Sequence, residues 1–537
     1  RARVAPGSAR RHVYDARVSA SLQAADGILH VANPATLEPV GTVAVTPPEG
    51  VAEAVAEAQL AQAAWARESL DTRERLLRGV MQALVESAEE VSATVVAETG
   101  KPIVEALTAE LFVALDCAWW LSRSAARCLR PERLRVPQPH LPHKRAWLIH
   151  DPVGVVAVLA PWNYPFSVPF TQAATAVAAG NAVVVKPSEL APHSGAWVEE
   201  VFRRGGAPPG LVRVVQGPGE TTGDALLRQR GVRQIVFTGS TEVGRMVAVR
   251  AAERLCPVTL ELGGKDPMLV LDDADVGRAV EGALWAAFTN CGQVCAGVER
   301  VYVAEVLLEP FVRELARRSQ ALRIGAGTDP ATDLGPLVSE AQRARVEELV
   351  ADALANGAEV AAGGGRPEVG LPGWFHEPTV LVGEPGGARL RQEEIFGPVV
   401  TVVSIANDAD GIRRANDSAY ALGASVWTRD RARARRVAVR LEAGSVWTND
   451  HAYSYGLFQA PWGGRKLSGI GRTHSRVGLL SLTHTKYVDA DAGRVRPPWW
   501  YPYSERAGDG FHGALGVLYG AGARARLGAA VAHRGGL

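Results

Sequence analysis

From Pro152 onward, short runs of β-branched residues alternate with longer amphipathic runs. Residues 153–159 (VGVVAVL), 182–185 (AVVV), 212–215 and 234–237 (QIVF) are apolar at nearly every position, as strands buried on both faces are. Between them, 171–179 and 196–204 space their apolar residues for helices. Such alternation predicts a parallel sheet covered on both sides. A second α/β series follows Glu261, with strands at 268–271, 301–303, 399–404 and 424–427 and helices at 276–287 and 339–356. Residues 48–127 read as helical. Residues 130–150, rich in proline and basic side chains, read as a protruding hairpin rather than core. In the tail, 497–503 (PPWWYPY) is aromatic and proline-rich, and 514–530 predicts one amphipathic helix docked on its own protein in preference to a membrane surface. Trp499, Trp500 and Tyr501 are expected at a subunit interface or the substrate entrance.

At 537 residues the chain exceeds what one hydrophobic core organises, so two or three domains are expected. Lys plus Arg number 58 and Asp plus Glu 57, so no global field draws nucleic acid or an anionic membrane. The arginines of 431–436 (RARARR) read as a solvated helix face. Five cysteines do not make a disulfide framework, and Cys117, Cys128 and Cys256 sit among apolar neighbours, as buried thiols do. No run of eighteen apolar residues predicts a membrane span. Residues 1–18 are basic without the apolar centre of a secretory signal, so a cytoplasmic setting is expected.

The candidate chemistry sits at the ends of the predicted strands. Residues 289–296 read TNCGQVCA, and the two cysteines lack the second Cys/His pair a zinc site needs, so no metal is predicted. In 259–265 (TLELGGK) a strand delivers Glu261 and two glycines let the backbone turn. In 160–166 (APWNYPF) Asn163 lies on a loop where doubly wound sheets place ligands. With Cys295 these supply a nucleophile, a base and an oxyanion donor. On the other side, 237–244 (FTGSTEVG) is a strand, a glycine-bracketed turn and a helix start, suited to a pyrophosphate. In 183–189 (VVVKPSE), Lys186 and Glu189 are placed to hydrogen-bond ribose hydroxyls.

These segments, with EEIFGP (393–398) and APWGGRKLSGIGR (460–472), resemble the aldehyde dehydrogenase superfamily in the same order from about residue 33 to 488. The resemblance implies an α/β fold with a Rossmann-like NAD domain (20–129 and 151–260) and a catalytic α/β domain (261–446). It further implies an oligomerisation arm (130–150 and 475–500), with 501–537 as an extension, and a homodimer or homotetramer. It assigns Cys295 as nucleophile, Glu261 as general base, and Asn163 with the Cys295 backbone N–H as oxyanion hole. Trp162, Lys186, Glu189, Phe237, Gly239, Ser240, Gly244, Glu394 and Phe396 would contact the dinucleotide. Glu189 favours NAD over NADP, because its carboxylate would accept from a 2′-hydroxyl and repel a 2′-phosphate.

Tyr164 and Trp462 resemble the aromatic walls of the family's substrate tunnel, with Trp119, Trp120, Tyr455 and Phe458 as further candidates. Such walls imply an apolar, medium-chain or aromatic aldehyde. Family members acting on succinate semialdehyde often carry an arginine where this chain has Thr171, which lowers that alternative. Glu261 argues against a coenzyme A-acylating enzyme, and an intact Cys295 and Glu261 argue against a non-catalytic nucleotide-binding descendant. Cys291 is read as a packing residue in preference to a redox partner of Cys295.

Overall fold

The computed structural model describes residues 27–532 apart from 139–140, 142–143, 384–385, 492, 495 and 498. The signal reading at 1–18 and the domain start at residue 20 lie outside the described residues. The chain forms two compact units, one from residues up to 130 with 150–485, the other from 131–149 with 486–537.

In the first unit, strands Val155–Leu159, Ala182–Lys186, Val212–Val214, Val232–Thr238 and Val258–Glu261 pair in parallel, and Gly469–Ile470 adds antiparallel to Val258–Glu261 at one edge. Every residue of Val155–Leu159 and Ala182–Lys186 is buried, which is why their sequences run continuously apolar instead of alternating. Helices Pro48–Trp65, Leu70–Glu86 and Val113–Leu129 share one apolar core with this sheet. Ser69 caps the second of them by accepting the Thr72 N–H. The same unit holds a seven-stranded sheet in which Asp266–Val270, Val298–Ala304, Thr379–Val382, Val399–Ile405, Gly423–Trp427 and Ser445–Thr448 are parallel. Asp275 and Ser339 cap the helices Val276–Phe288 and Glu340–Ala355 that cover it.

The second unit carries the antiparallel hairpin Glu132–Leu134 with Arg145–Pro152, flanked by Thr483–Ala490. Lys144 bridges to Asp489 at 2.9 Å. The expected start of the arm, residue 475, coincides with the start of a helix. Ser475–Ser481 is a helix that packs against Val113–Leu129 and Ser167–Ala178 and buries Leu479 completely. The tail also differs from expectation, because two helices, Glu505–Tyr519 and Gly522–Ala532, replace the single one. Gly522 at φ +83° permits the break between them. They pack on each other where Gly516 meets Ala529, while Trp500, Tyr501, Leu515 and Leu527 are exposed. Arg433 departs from the solvated face expected of its helix, pairing with Asp408, Asp272 and Asp273. Cys117 and Cys128 are buried, whereas Cys256 is only half-buried.

Candidate active site

Strand order reverses around Val155–Leu159, whose neighbours are Ala182–Lys186 on one side and Val232–Thr238 on the other. Loops leaving the carboxyl ends of such strands diverge and open a crevice. Here they carry Trp162 and Asn163, Lys186 and Glu189, and Gly239 and Ser240. A continuous cavity of about 3090 Å³ reaches from these loops to the cysteine segment. Single ligand pockets occupy roughly 300–1,000 Å³, so this one has room for two ligands end to end.

One end suits a dinucleotide. Lys186, Glu189, Phe237, Gly239, Ser240, Glu394, Phe396 and Trp162 all line it. Lys186 Nζ lies 2.9 Å from Glu189 Oε2. Burial works to raise Glu189, but the adjacent Lys186 ammonium together with backbone N–H groups holds the carboxyl below its ordinary range. Ser240 caps helix Thr241–Ala252 by accepting the Val243 N–H, and a Cβ on Gly239 would fall 2.7 Å from the Phe237 ring. Phe396 meets Trp162 edge to face at 5.3 Å. Gly244 is placed differently. It is buried inside the helix, where a Cβ would come within 2.4 Å of Leu262, so it serves close packing beneath the site and does not line the cavity.

At the other end, Val258–Glu261 delivers Glu261, and the glycines behind it are required by close approach. A Cβ on Gly263 would sit 2.3 Å from the Glu394 carboxylate, and one on Gly264 would sit 2.1 Å from the Cys295 carbonyl oxygen. Gly463, at φ +147°, leaves space beside Glu261 Oε1. Glu261 is buried, yet neither carboxylate oxygen has a hydrogen-bond partner among the described residues. Burial pushes its carboxyl well above the ordinary range against the opposing Arg472 and Thr473. A buried carboxyl without partners is costly to keep and marks a functional candidate.

Cys295 follows a strained turn. Asn290 and Cys291 adopt left-handed backbone at φ +51° and +55°, a conformation that costs non-glycine residues of order 1–3 kcal/mol each. Side chains hold it there. Glu105 accepts from the Thr289 hydroxyl and the Asn290 N–H, and Asn290 Nδ2 donates to the Asn163 carbonyl at 3.0 Å. Asn163 Nδ2 in turn donates to the Gln293 carbonyl at 2.9 Å, which ties the candidate oxyanion residue to the cysteine loop. Burial pushes the Cys295 thiol up, and the carboxylates of Glu394, Asp266 and Glu261 push it further. Cys291 is buried and free, and burial raises its thiol well above ordinary too.

Tyr164, Thr171, Tyr455 and Trp462 line the passage to Cys295, with Tyr455 and Trp462 in edge contact at 5.0 Å. Thr171 Oγ1 donates to the Val168 carbonyl within its own helix. Three of the further wall candidates, which could equally serve packing, lie elsewhere. Trp119 is exposed under Arg123, while Trp120 and Phe458 belong to the core. Two carboxylates unseen in the sequence reading, Glu105 and Asp116, face the same passage, and burial raises both. Lys101 was also missed. It is buried between Glu110, at 2.8 Å, and the Asn163 carbonyl, at 2.7 Å, and so fixes the oxyanion loop from behind. Only its position after Gly100, at a helix end, hinted at anything beyond a surface lysine.

The sequence profile of the Aldehyde dehydrogenase family matches residues 22–488. A betaine aldehyde dehydrogenase of Sinorhizobium fredii is 37% identical over 467 residues, covering 87% of this chain and 94% of that protein. Betaine aldehyde dehydrogenase 1 of Rhizobium meliloti is 37% identical over 477 residues, covering 89% and 96%. Among solved structures, the Mycobacterium tuberculosis aldehyde dehydrogenase complexed with NAD+ superposes with a TM-score of 0.83 at 33% identity, covering 88% of this chain and 96% of that one. An NADP-dependent enzyme of E. coli gives a TM-score of 0.83 at 35% identity, covering 86% and 95%.

Proposed function

Because the chain belongs to the aldehyde dehydrogenase family, we propose that it oxidises an aldehyde to the carboxylic acid with NAD or NADP through a thioester on Cys295. The observation that carries this reading is the convergence of Cys295, the partnerless Glu261 and Asn163 on one cavity whose far end suits a dinucleotide.

Lys186 and Glu189 would hold ribose hydroxyls, Ser240 and its helix N-terminus a phosphate, and Glu394 with Phe396 the nicotinamide end. Cys295 Sγ attacks the aldehyde carbon, and its proton passes to water. The Asn163 amide and the Cys295 backbone N–H receive the developing oxyanion, a contribution of about 3–4 kcal/mol per donor in acyl-transfer sites. Bound NAD(P) supplies the hydride acceptor as the alkoxide collapses to a thioester. Glu261 then takes a proton from water, whose oxygen displaces Cys295 and releases the acid. Asn163→Ala is expected to lower kcat/KM for oxidation by roughly 10²–10³-fold. Unchanged steady-state rates in this variant would remove Asn163 from the oxyanion site.

For the cofactor, Glu189 supports NAD ahead of NADP. Glu189→Gln is expected to narrow the NAD preference by about tenfold through a lower KM for NADP. A preference that does not move would place the discrimination elsewhere.

For the substrate, aromatic faces at Tyr164, Tyr455 and Trp462 combined with the carboxylates Glu105 and Asp116 favour a small aldehyde bearing a quaternary ammonium group. Cations are stabilised over aromatic rings by about 0.5–2 kcal/mol, and nearby carboxylates add to that. The named relatives support the same class. The aromatic walls alone support a second reading, an apolar medium-chain or aromatic aldehyde. The carboxylates oppose succinate semialdehyde. NAD reduction measured against betaine aldehyde, hexanal, benzaldehyde and succinate semialdehyde separates these readings. Betaine aldehyde should give the highest kcat/KM. Dominance of hexanal or benzaldehyde would select the second reading, and dominance of succinate semialdehyde would overturn both.

A further inference from the structure

Glu299, the second residue of strand Val298–Ala304 and four residues past Cys295, is buried and has no part in the steps above. Its carboxylate ties together two segments that meet at the site. One is the turn after Glu261: Lys265 Nζ, fully buried, donates to Glu299 Oε2. The other is the loop of Glu394 and Phe396, where the N–H groups of Ile395 and Phe396 donate to Glu299 Oε1 at 2.9 and 3.1 Å. The neighbouring Arg300 donates to the Lys265 carbonyl at 2.7 Å, so the turn is gripped at both its side chain and its backbone. Between the two segments, the Gly264 N–H donates to Glu394 Oε1 at 2.8 Å. Phe396 sits at φ +55°, a conformation a phenylalanine keeps only when its surroundings impose it. Two N–H groups aimed at one buried carboxylate are such an imposition.

We propose that Glu299 is a positioning residue that sets the nicotinamide end of the cofactor against the catalytic turn. It does so by holding the 394–396 loop and the 261–265 turn on one carboxylate. This rests on the reading that Glu394 and Phe396 face the cofactor. A carboxylate offers four acceptor positions and no donor, which matches the three N–H donors around it. Glutamine keeps the shape but turns one side into a donor, so it must face at least one N–H with another.

The test is Glu299→Gln alongside the double variant Lys265→Met/Glu299→Gln, which leaves no uncompensated buried charge and keeps the experiment informative if the single variant folds poorly. Two reactions are measured on each. NAD reduction needs the cofactor placed correctly, whereas hydrolysis of p-nitrophenyl acetate needs Cys295 and Glu261 but no cofactor. Both variants are expected to raise KM for NAD and to lower kcat for oxidation, each by about tenfold or more, since a displacement near 1 Å costs up to roughly 10²-fold. Ester hydrolysis, which uses the turn but not the cofactor, should fall clearly less than oxidation does. If the double variant unfolds cooperatively as wild type does yet loses both reactions in parallel, Glu299 is only a structural strut and the proposal fails. Unaltered KM and kcat for oxidation in both variants, beside a normal wild type, overturn the positioning role alone. A wild type that hydrolyses ester but reduces neither NAD nor NADP would overturn this role and the aldehyde dehydrogenase reading together.

Discussion

Cys295→Ala should abolish aldehyde-dependent NAD(P) reduction, lowering kcat/KM by roughly 10⁴-fold or more while leaving NAD(P) affinity unchanged. Removing a covalent nucleophile costs about 10⁴–10⁶ in enzymes whose other groups cannot replace it. No other thiol stands in for it. Cys117, Cys128 and Cys291 are buried, Cys256 lies in a different part of the unit, and none of the four lines the cavity. The proposed cofactor end is lined by Lys186, Glu189, Ser240 and Glu394 and does not depend on the thiol. Binding measured by fluorescence quenching should therefore survive where turnover does not. A variant that retains a hundredth of wild-type turnover would show that the reaction bypasses Cys295. Cys291→Ser, in contrast, should keep its turnover, because that thiol is buried in the wall behind the loop.

Glu261→Gln should separate the two halves of the reaction. Cys295 can still be acylated, so each active site is expected to release about one equivalent of NAD(P)H in a first turnover. Thioester hydrolysis should then slow by about 10²–10⁴-fold, the range contributed by a positioned general base. Intact-protein mass spectrometry would find the acyl group retained on the enzyme. The electrostatics also give the pH dependence a sign. Burial raises the Glu261 carboxyl well above its ordinary value. Its basic form therefore appears only as pH rises, and steady-state turnover is lost as pH falls through that raised value. In Glu261→Gln this acidic limb should disappear from the hydrolysis step. Wild type and variant sharing the same acidic limb, or a variant with no burst and no retained acyl group, would assign the base to another residue.

The candidate catalytic residues stand out in the chain because each sits in a short local signal. Glu261 ends an apolar strand ahead of two glycines, Asn163 follows another strand between prolines, and Cys295 lies in a polar break after a helix. The strands of both sheets were legible for a related reason, since parallel strands buried on both faces carry unbroken β-branched runs. Short edge pieces carried no such run. Gly469–Ile470 joins the first sheet with two residues, too few for any periodicity to register.

The supporting shell was not legible. Lys101, Glu105, Glu110 and Glu299 are charged side chains in sequences that read as ordinary solvated helix or strand positions. Their roles arise from partners far along the chain: Lys101 meets Asn163, Glu105 meets Asn290, and Glu299 meets Ile395. The helical tail was misjudged for the converse reason. Its apolar positions at Leu515 and Tyr519 have helical spacing, but spacing alone does not say whether anything packs against them, and in this structure they are exposed.

Local sequence thus determined which backbone segments become strands, turns and helices, because β-branched runs, glycines and caps act on neighbours within a few residues. It also determined which reactive groups stand at their ends. Tertiary structure alone decided that Glu261 has no hydrogen-bond partner among the described residues, that Gly244 packs against Leu262 instead of lining the cavity, and that buried carboxylates brace the cysteine loop and the 394–396 loop. The reason is physical. Burial and charge pairing depend on distance in space, and the groups that partner these side chains lie as far as 185 residues away in sequence.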